Sequence, residues 1–342
     1  MRISDPLYGK FEIEDGAIID LMKSKPMERI KHVSQQGIPK EFDFEGATNH
    51  SRYEHCVGVM LLLRRLGASE EEQIAGLLHD VSHTAFSHTA DMVLGSYADQ
   101  GLQDSLHEEY FNKGELKEVL EKHGFDPSRI SNEKLFGLLE RDIPDMCADR
   151  VDYSLRGYYY QGHSEPIEMV KHIVNHEEEM VFDSKEYAVR YGKLFMHMQR
   201  SEYGNRDNIA IRYAFATAIK RAFDEGAITR DDIVYGTDDQ VVEKAKNAHI
   251  KYVDDVFDAL RRGKFSVEDG GSVKLKAKSR YVDPKFLDGR VLRRASEADS
   301  DFRESLEKSK SEDVSGYNVM IRIGDIAAIT LGKVKIKGCM TG

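Results

Sequence analysis

Residues 70–88, EEEQIAGLLHDVSHTAFSH, constrain the fold more than any other stretch of this chain. Ser69 and Glu72 stand three apart, as a capping box at a helix start requires. Ile74, Leu77, Leu78 and Val81 then recur at helical spacing. The spacing predicts a buried helix. Where a core helix should simply stop, this one runs into His79, Asp80, His83 and His88. One histidine beside apolar residues is ordinarily a hydrogen-bonded core residue. Four such groups within ten residues ask for a metal, a proton-transfer site, or both. His50, His55 and His107 extend the pattern, so six of the 13 histidines fall between positions 50 and 107.

His79 and Asp80 read as neighbours on the helix, their side chains diverging by about 100° yet able to reach one ion beside the helix end. Imidazole nitrogen with carboxylate oxygen suits one divalent metal such as Mn, Fe, Ni, Zn or Mg. Upstream, RYEHCVGVMLLLRRLG places Cys56, Val59, Met60 and Leu63 at i, i+3, i+4 and i+7, with Gly67 suited to a left-handed stop. A short connection favours antiparallel packing of these two helices, which brings His55 to a third corner. The fourth ligand should be a carboxylate from another buried helix, and CADRVDYSLRG offers Asp149 and Asp152. Asp149, Tyr153 and Arg156 share a face; Asp152 lies on another and is the weaker candidate. His79 and His83 stand one helical turn apart, so a ligand and a proton-transfer group can flank one phosphate.

The rest of the chain sets the frame. Its 342 residues suffice for one large or two ordinary domains, and 40% hydrophobic with 32% charged residues are globular values. A formal charge of −11 argues against general nucleic-acid binding. Cys56, Cys147 and Cys339 read as reduced thiols, no N-terminal signal is visible, and CVGVMLLL is far too short to span a membrane. A cytoplasmic location with no membrane partner is the expectation. Helices are predicted from Gly16 to about Lys23, through 104–124 and 133–160, and over about 193–223 and 240–262. A hairpin is predicted within 180–192. Strand alternation is read at Val273, Leu275 and Ala277 among lysines, and again at Val334 and Ile336. The fold class is mainly α: a helical core over 1–178, then a helical extension with a smaller α+β portion over 179–342.

SRYEHCVGV, LLHDVSHTAFSHTAD, LHEEY and ADRVDYSLR, taken in order, resemble the motifs of the HD-domain phosphohydrolases. ISDPLYGKFEI, MERIKHVSQQG and FEGATNHSRYEH resemble more narrowly the deoxynucleoside triphosphate triphosphohydrolase branch. The similarity covers about residues 3–160 well and continues weakly to about 225. It implies an HD-domain helical bundle with His55, His79, Asp80 and Asp149 as ligands of a single ion. It further implies Arg52 as a phosphate contact and His83, His88, Asp91, His107 and Glu108 as catalytic groups, with His88 held by Asp91 or Glu108. For the sugar, Tyr153, Tyr203 and Arg206 match family contacts, and His32 with Val33 aligns best with a sugar-reading pair, in competition with Gln35 and Gln36. Three departures stand out. Gly157 replaces a carboxylate that contacts the sugar 3′-hydroxyl, Arg206 replaces a lysine, and Asn205 replaces a histidine. Paired acids after the HD dipeptide and a GYP signature, marks of other HD branches, are absent from the sequence.

The implied activity is hydrolysis of a (deoxy)nucleoside triphosphate to nucleoside and triphosphate. The alternatives are a nucleotidase or pyrophosphatase acting on a smaller phosphorylated metabolite, or a nucleotide-sensing protein with little turnover. A nucleotide effector and a homo-oligomer are further implications. The lysine-faced strands, with Arg290, Arg293 and Arg294 between them, read either as an effector's phosphate site or as a solvated face. Tyr158 to Tyr160 read either as a base-stacking platform or as packing.

Overall fold

The computed structural model describes residues 1–42, 50–95, 102–276, 280–312 and 316–324. The protein is mainly helical, with small sheets attached. Helix Arg52–Arg65 starts where it should: Ser51 Oγ accepts the Glu54 N–H and the Glu54 carboxylate accepts the Ser51 N–H, a reciprocal cap. Helix Glu70–Leu78 is capped by Ser69, but Glu72 does not complete the predicted box. Its carboxylate instead accepts the N–H groups of Leu138 and Leu139 at 2.8 and 3.0 Å, tying down a loop that would otherwise bury unpaired amides.

Two apolar cores carry the molecule. The first gathers Leu61, Leu63, Leu77, Leu78, Val151, Leu155 and Phe195 from four helices, Arg52–Arg65, Glu70–Leu78, Ala148–Tyr160 and Lys185–Met198. The second is built around the rings of Phe42, Phe86, Phe215 and Phe257, whose neighbouring centroids lie 4.7–5.7 Å apart. It draws on helices Arg206–Asp224 and Lys251–Arg261 and on the antiparallel pair Phe265–Leu275 with Tyr317–Ile323. The histidine-rich loop straddles the two. Val81 packs in the first core, whereas Ala85, Phe86, Ala90 and Val93 pack in the second.

Several predicted elements differ in extent. The helix over 104–124 is two, Leu102–Asn112 and Glu115–Lys122, because Gly114 takes φ +77° between them. Residues 133–147 hold a single turn of 3-10 helix at Glu133–Leu135 and otherwise turns and loop before helix Ala148–Tyr160 begins. Pro144 there lacks an N–H and disfavours helix at Ile143. The hairpin lies earlier than predicted: Glu179–Phe182 pairs with the upstream strand Ile173–His176, and Lys185 opens a helix. The region 193–223 is interrupted by a wide turn at Gln199–Tyr203, and 240–262 breaks at His249, which has φ +50°. Val273 and Leu275 face inward and Lys274 outward, as alternation predicts. Ala277, Val334, Ile336 and Cys339 lie outside the described residues. Among the described residues no helix is long and apolar enough to cross a membrane.

Candidate metal centre

Three helical segments converge on one point. His55 Nε2 lies 3.1 Å from His79 Nε2, 3.0 Å from Asp149 Oδ1 and 3.6 Å from Asp80 Oδ2. His79 Nε2 is 3.6 Å from the same oxygens of Asp80 and Asp149. His55 and Asp149 sit in the first turns of their helices, and His79 caps the end of helix Glu70–Leu78. The placement of His79 and Asp80 inside a helix is therefore corrected. The helix ends at Leu78, and Asp80 opens the following turn. That release lets the two side chains aim at one spot when successive helical positions would splay them. His83 likewise lies in the turn, its N–H donating to the Asp80 carbonyl.

The donor set fits a divalent cation. His79 Nδ1 lies 2.8 Å from the Gly76 carbonyl, which can only accept, so Nδ1 carries the proton. His55 Nδ1 lies 2.8 Å from Asp152 Oδ1, and the same assignment follows. Both Nε2 lone pairs thus face each other beside two carboxylates. Such a cluster repels itself unless positive charge sits within it. Burial opposes charge on both rings. Even so, Asp80 holds His79 well above the usual histidine range, and Asp149 with Asp152 raises His55. Asp152, the weaker ligand candidate, is an orienting group. Its other contacts are Arg156 Nε at 2.9 Å, Arg156 Nη2 at 2.8 Å and Tyr8 Oη at 2.9 Å. Arg156 in turn reaches Asp5 at 2.9 Å, so the N-terminal hairpin closes the network. Gly58 is required beneath it, since a Cβ there would lie 2.1 Å from both Arg156 Nη2 and Asp152 Oδ2.

Around the ligands stands a polar rim. Buried Arg52 donates from Nη1 to Asp80 Oδ2 and from Nε to Ser87 Oγ at 3.0 Å. His83 Nε2 lies 3.2 Å from Asp80 Oδ1, and burial, then the charge of Arg52, push its pKa down to about 3. His88 stands edge-on to His83, with ring centroids 5.0 Å apart and Nδ1 3.4 Å from Asp91 Oδ2. Burial lowers its pKa against the pull of Asp91. His107 Nδ1 meets Ser82 Oγ at 3.2 Å, and its Nε2 is 3.7 Å from Glu133 Oε1. Glu108 is not brought in: it faces solvent, accepting from Asn112, and Asp91 is the carboxylate on His88. The open side lies where Asp149 and His88 keep 30% and 38% of their side chains exposed.

The predicted sugar contacts converge less. Tyr153 lies 6.5 Å from the His55 ring and meets Tyr203 edge-on at 5.3 Å. Arg206 turns to the surface, paired with Asp207 at 2.8 Å and Asp269 at 2.7 Å. His32 is exposed and lines a cleft of about 260 Å³ with Lys31, His50 and Asp238, a lining that includes none of the four candidate ligands. Tyr158 stacks on His163 and Tyr160 bonds Glu54, so these tyrosines pack helix ends. Arg294 is tied to Asp145 and Arg293 to Asp288.

Sequence reasoning missed Glu133 and Arg280. Burial, opposed by His79 and reinforced by Asp80 and Asp149, lifts Glu133 to about 8. Arg280 bears electrostatically on His88, Tyr153 and Tyr203 and has no hydrogen-bond or ion-pair partner among the described residues. Neither sits in a motif; only folding brings them to the rim.

Comparison with known proteins gives a consistent outline. A family model described as the HD domain matches residues 52–156. The uncharacterized protein YdhJ of Bacillus subtilis is 34% identical over 300 residues, 86% of this chain and 91% of YdhJ. The metal-dependent phosphohydrolase cns2 of Cordyceps militaris is 36% identical over 155 residues, 45% of this chain and 44% of that protein. The deoxynucleoside triphosphate triphosphohydrolase SAMHD1 homolog of Dictyostelium discoideum is 28% identical over 195 residues, 47% of this chain and 37% of that protein. In the last two cases the chain spans less than half of the relative's length.

Proposed function

This chain belongs to the HD-domain phosphohydrolase superfamily, and within it we propose a (deoxy)nucleoside triphosphate triphosphohydrolase that releases nucleoside and triphosphate. It is a metal-dependent hydrolase; the finer substrate assignment is the proposal. The observation that carries it is the meeting of His55, His79, Asp80 and Asp149, the proposed ligands, with Arg52, His83 and His88 on a single open rim. When bound, a divalent ion supplies charge neutralisation for a phosphate oxygen and acidifies water. The protein's own groups would do the rest. Arg52 holds a phosphate oxygen from the buried side, and His83 remains a neutral hydrogen-bonding group. His88, with Nδ1 on Asp91, is left with Nε2 for a proton exchange with the leaving oxygen. The Tyr153–Tyr203 pair offers an aromatic wall for the sugar, and the activity for which the Dictyostelium relative is named supports the same choice.

A second reading, a nucleotidase or pyrophosphatase acting on a smaller phosphorylated metabolite, is favoured by Gly157 and by the ion pairs that occupy Arg206. The test is product identification with metal-loaded protein and a panel of dNTPs, NTPs and monophosphates. Triphosphate release is expected. Orthophosphate as the sole inorganic product would replace the first reading with the second, and tight binding without product would point to a sensor.

A further inference from the structure

The turn that opens helix Asp238–Asn247 is bonded to the two loops on either side of Arg52, at Ser34 and at Phe86. Asp238 is 4% exposed, and its Oδ2 accepts the Ser34 N–H at 2.9 Å while its Oδ1 accepts the Phe86 N–H at 2.8 Å. Its own N–H donates to the His32 carbonyl at 3.1 Å. No cation forms an ion pair with this carboxylate among the described residues. Burial, against the pull of the two amides, lifts its pKa to about 7. A buried carboxylate that serves only to accept two amides is costly beside an uncharged alternative. The question is what those amides hold.

They belong to the two loops that cradle Arg52. Ser87 Oγ donates to the Ser34 carbonyl at 2.7 Å and accepts from Arg52 Nε at 3.0 Å. The Arg52 N–H donates to the Val33 carbonyl at 2.9 Å, and Nη2 approaches the Gln35 carbonyl at 3.5 Å. Phe86 and Ser87 carry φ of +64° and +47°, a left-handed conformation that a bulky residue adopts only when its surroundings over-determine it. The loops are pressed together as well: a Cβ on Gly37, itself at φ +73°, would lie 2.8 Å from the Phe86 carbonyl oxygen. From the other side, Arg29 Nη2 donates to the carbonyls of Val81 and His83 at 2.9 and 2.7 Å, and Nη1 to that of Gly236 at 3.2 Å. The turn 236–238 is thus bonded directly to Phe86 and, through Arg29, to Val81 and His83 at the other end of the strained loop.

We propose that Asp238 is a positioning residue for Arg52, acting through the Ser34 and Phe86 amides and the Ser87 hydroxyl to set where the guanidinium stands beside the metal ligands. This rests on the reading above that Arg52 contacts a substrate phosphate. A mere loop staple would stabilise the fold without coupling to that contact.

A double-mutant cycle separates the two. Affinity of the metal-loaded, full-length protein for imidodiphosphate is measured by calorimetry in wild type, R52Q, D238N, S87A and the doubles D238N/R52Q and S87A/R52Q. Metal content is checked in each. D238N and S87A should each weaken binding about tenfold with metal retained, and neither should weaken it further once Arg52 is gone. Full additivity, or D238N binding within twofold of wild type while R52Q is impaired, would overturn the proposal and leave the reading of Arg52 intact. If R52Q itself binds normally, both fall. Should D238N not fold, D238S replaces it. If neither folds, the S87A cycle decides, because Ser87 supplies the relay's side-chain link to Arg52 Nε.

Discussion

The two imidazoles at the centre are held in one tautomer by partners of unequal strength. His79 gives its Nδ1–H to a neutral carbonyl, His55 to a buried carboxylate that Arg156 and Tyr8 also grip. Replacing Asp152 by Asn should therefore free the His55 ring and lower metal affinity about 10–100-fold, measured by competition with a chelator. It should also destabilise the fold, because Arg156 loses its principal counter-charge in the core. The proposed direct ligands should behave differently: His79→Ala or Asp80→Ala should abolish metal retention in elemental analysis. His88→Ala should keep the metal and lose roughly 10²–10⁴ in turnover, and full activity in that variant would refute the assignment of His88. Much of this site is legible in sequence because ligands need particular residue types close to element ends. Asp152's role was not, since helical phase alone cannot tell a ligand from the group behind it.

At the scale of elements, helix Arg52–Arg65 and helix Ala148–Tyr160 approach so closely at Gly58 that no side chain fits between them. Gly58→Ala should cost on the order of 1–3 kcal/mol in denaturant unfolding and weaken metal binding too, since the displaced atoms are Asp152 and Arg156. The helix that begins at Asp238 brings its own pH signature. Its carboxyl, raised to about 7 by burial against the amides of Phe86 and Ser34, with Asp239 raising it further and Arg29 lowering it, holds more protons folded than unfolded below that pH. This group's stabilisation is fully present below the ordinary aspartate range and is lost as pH rises through 7. Thermal melts from pH 5 to 8 should fall more steeply for wild type than for Asp238→Asn. Helix limits differ from local spacing where the backbone turns, at Gly114 and His249, and the capping box at Ser69 stays incomplete because the Glu72 carboxylate accepts amides of a distant loop.

Across the whole molecule, the loop from His79 to His88 is anchored in one core at Val81 and in the other at Phe86. Phe215 packs against Phe86 at 5.0 Å and against Phe42 at 5.2 Å. Phe215→Ala should cost about 3–5 kcal/mol. Because the helices that carry His55, His79 and Asp149 pack in the other core, metal content should survive while phosphate affinity declines; calorimetry alongside elemental analysis checks both. The sequence by itself determined the helical class, the four candidate ligands and the histidine-rich rim, because residue type and short-range spacing are local properties that survive without knowing the fold. Only the tertiary structure decided that Asp152 stands behind His55, that Glu108 faces solvent, that Arg206 is held by surface carboxylates, that Glu133 and Arg280 bear on the site, and that Asp238 ties together the loops around Arg52. Those outcomes depend on which segments meet across tens to hundreds of residues, and no local periodicity encodes that meeting.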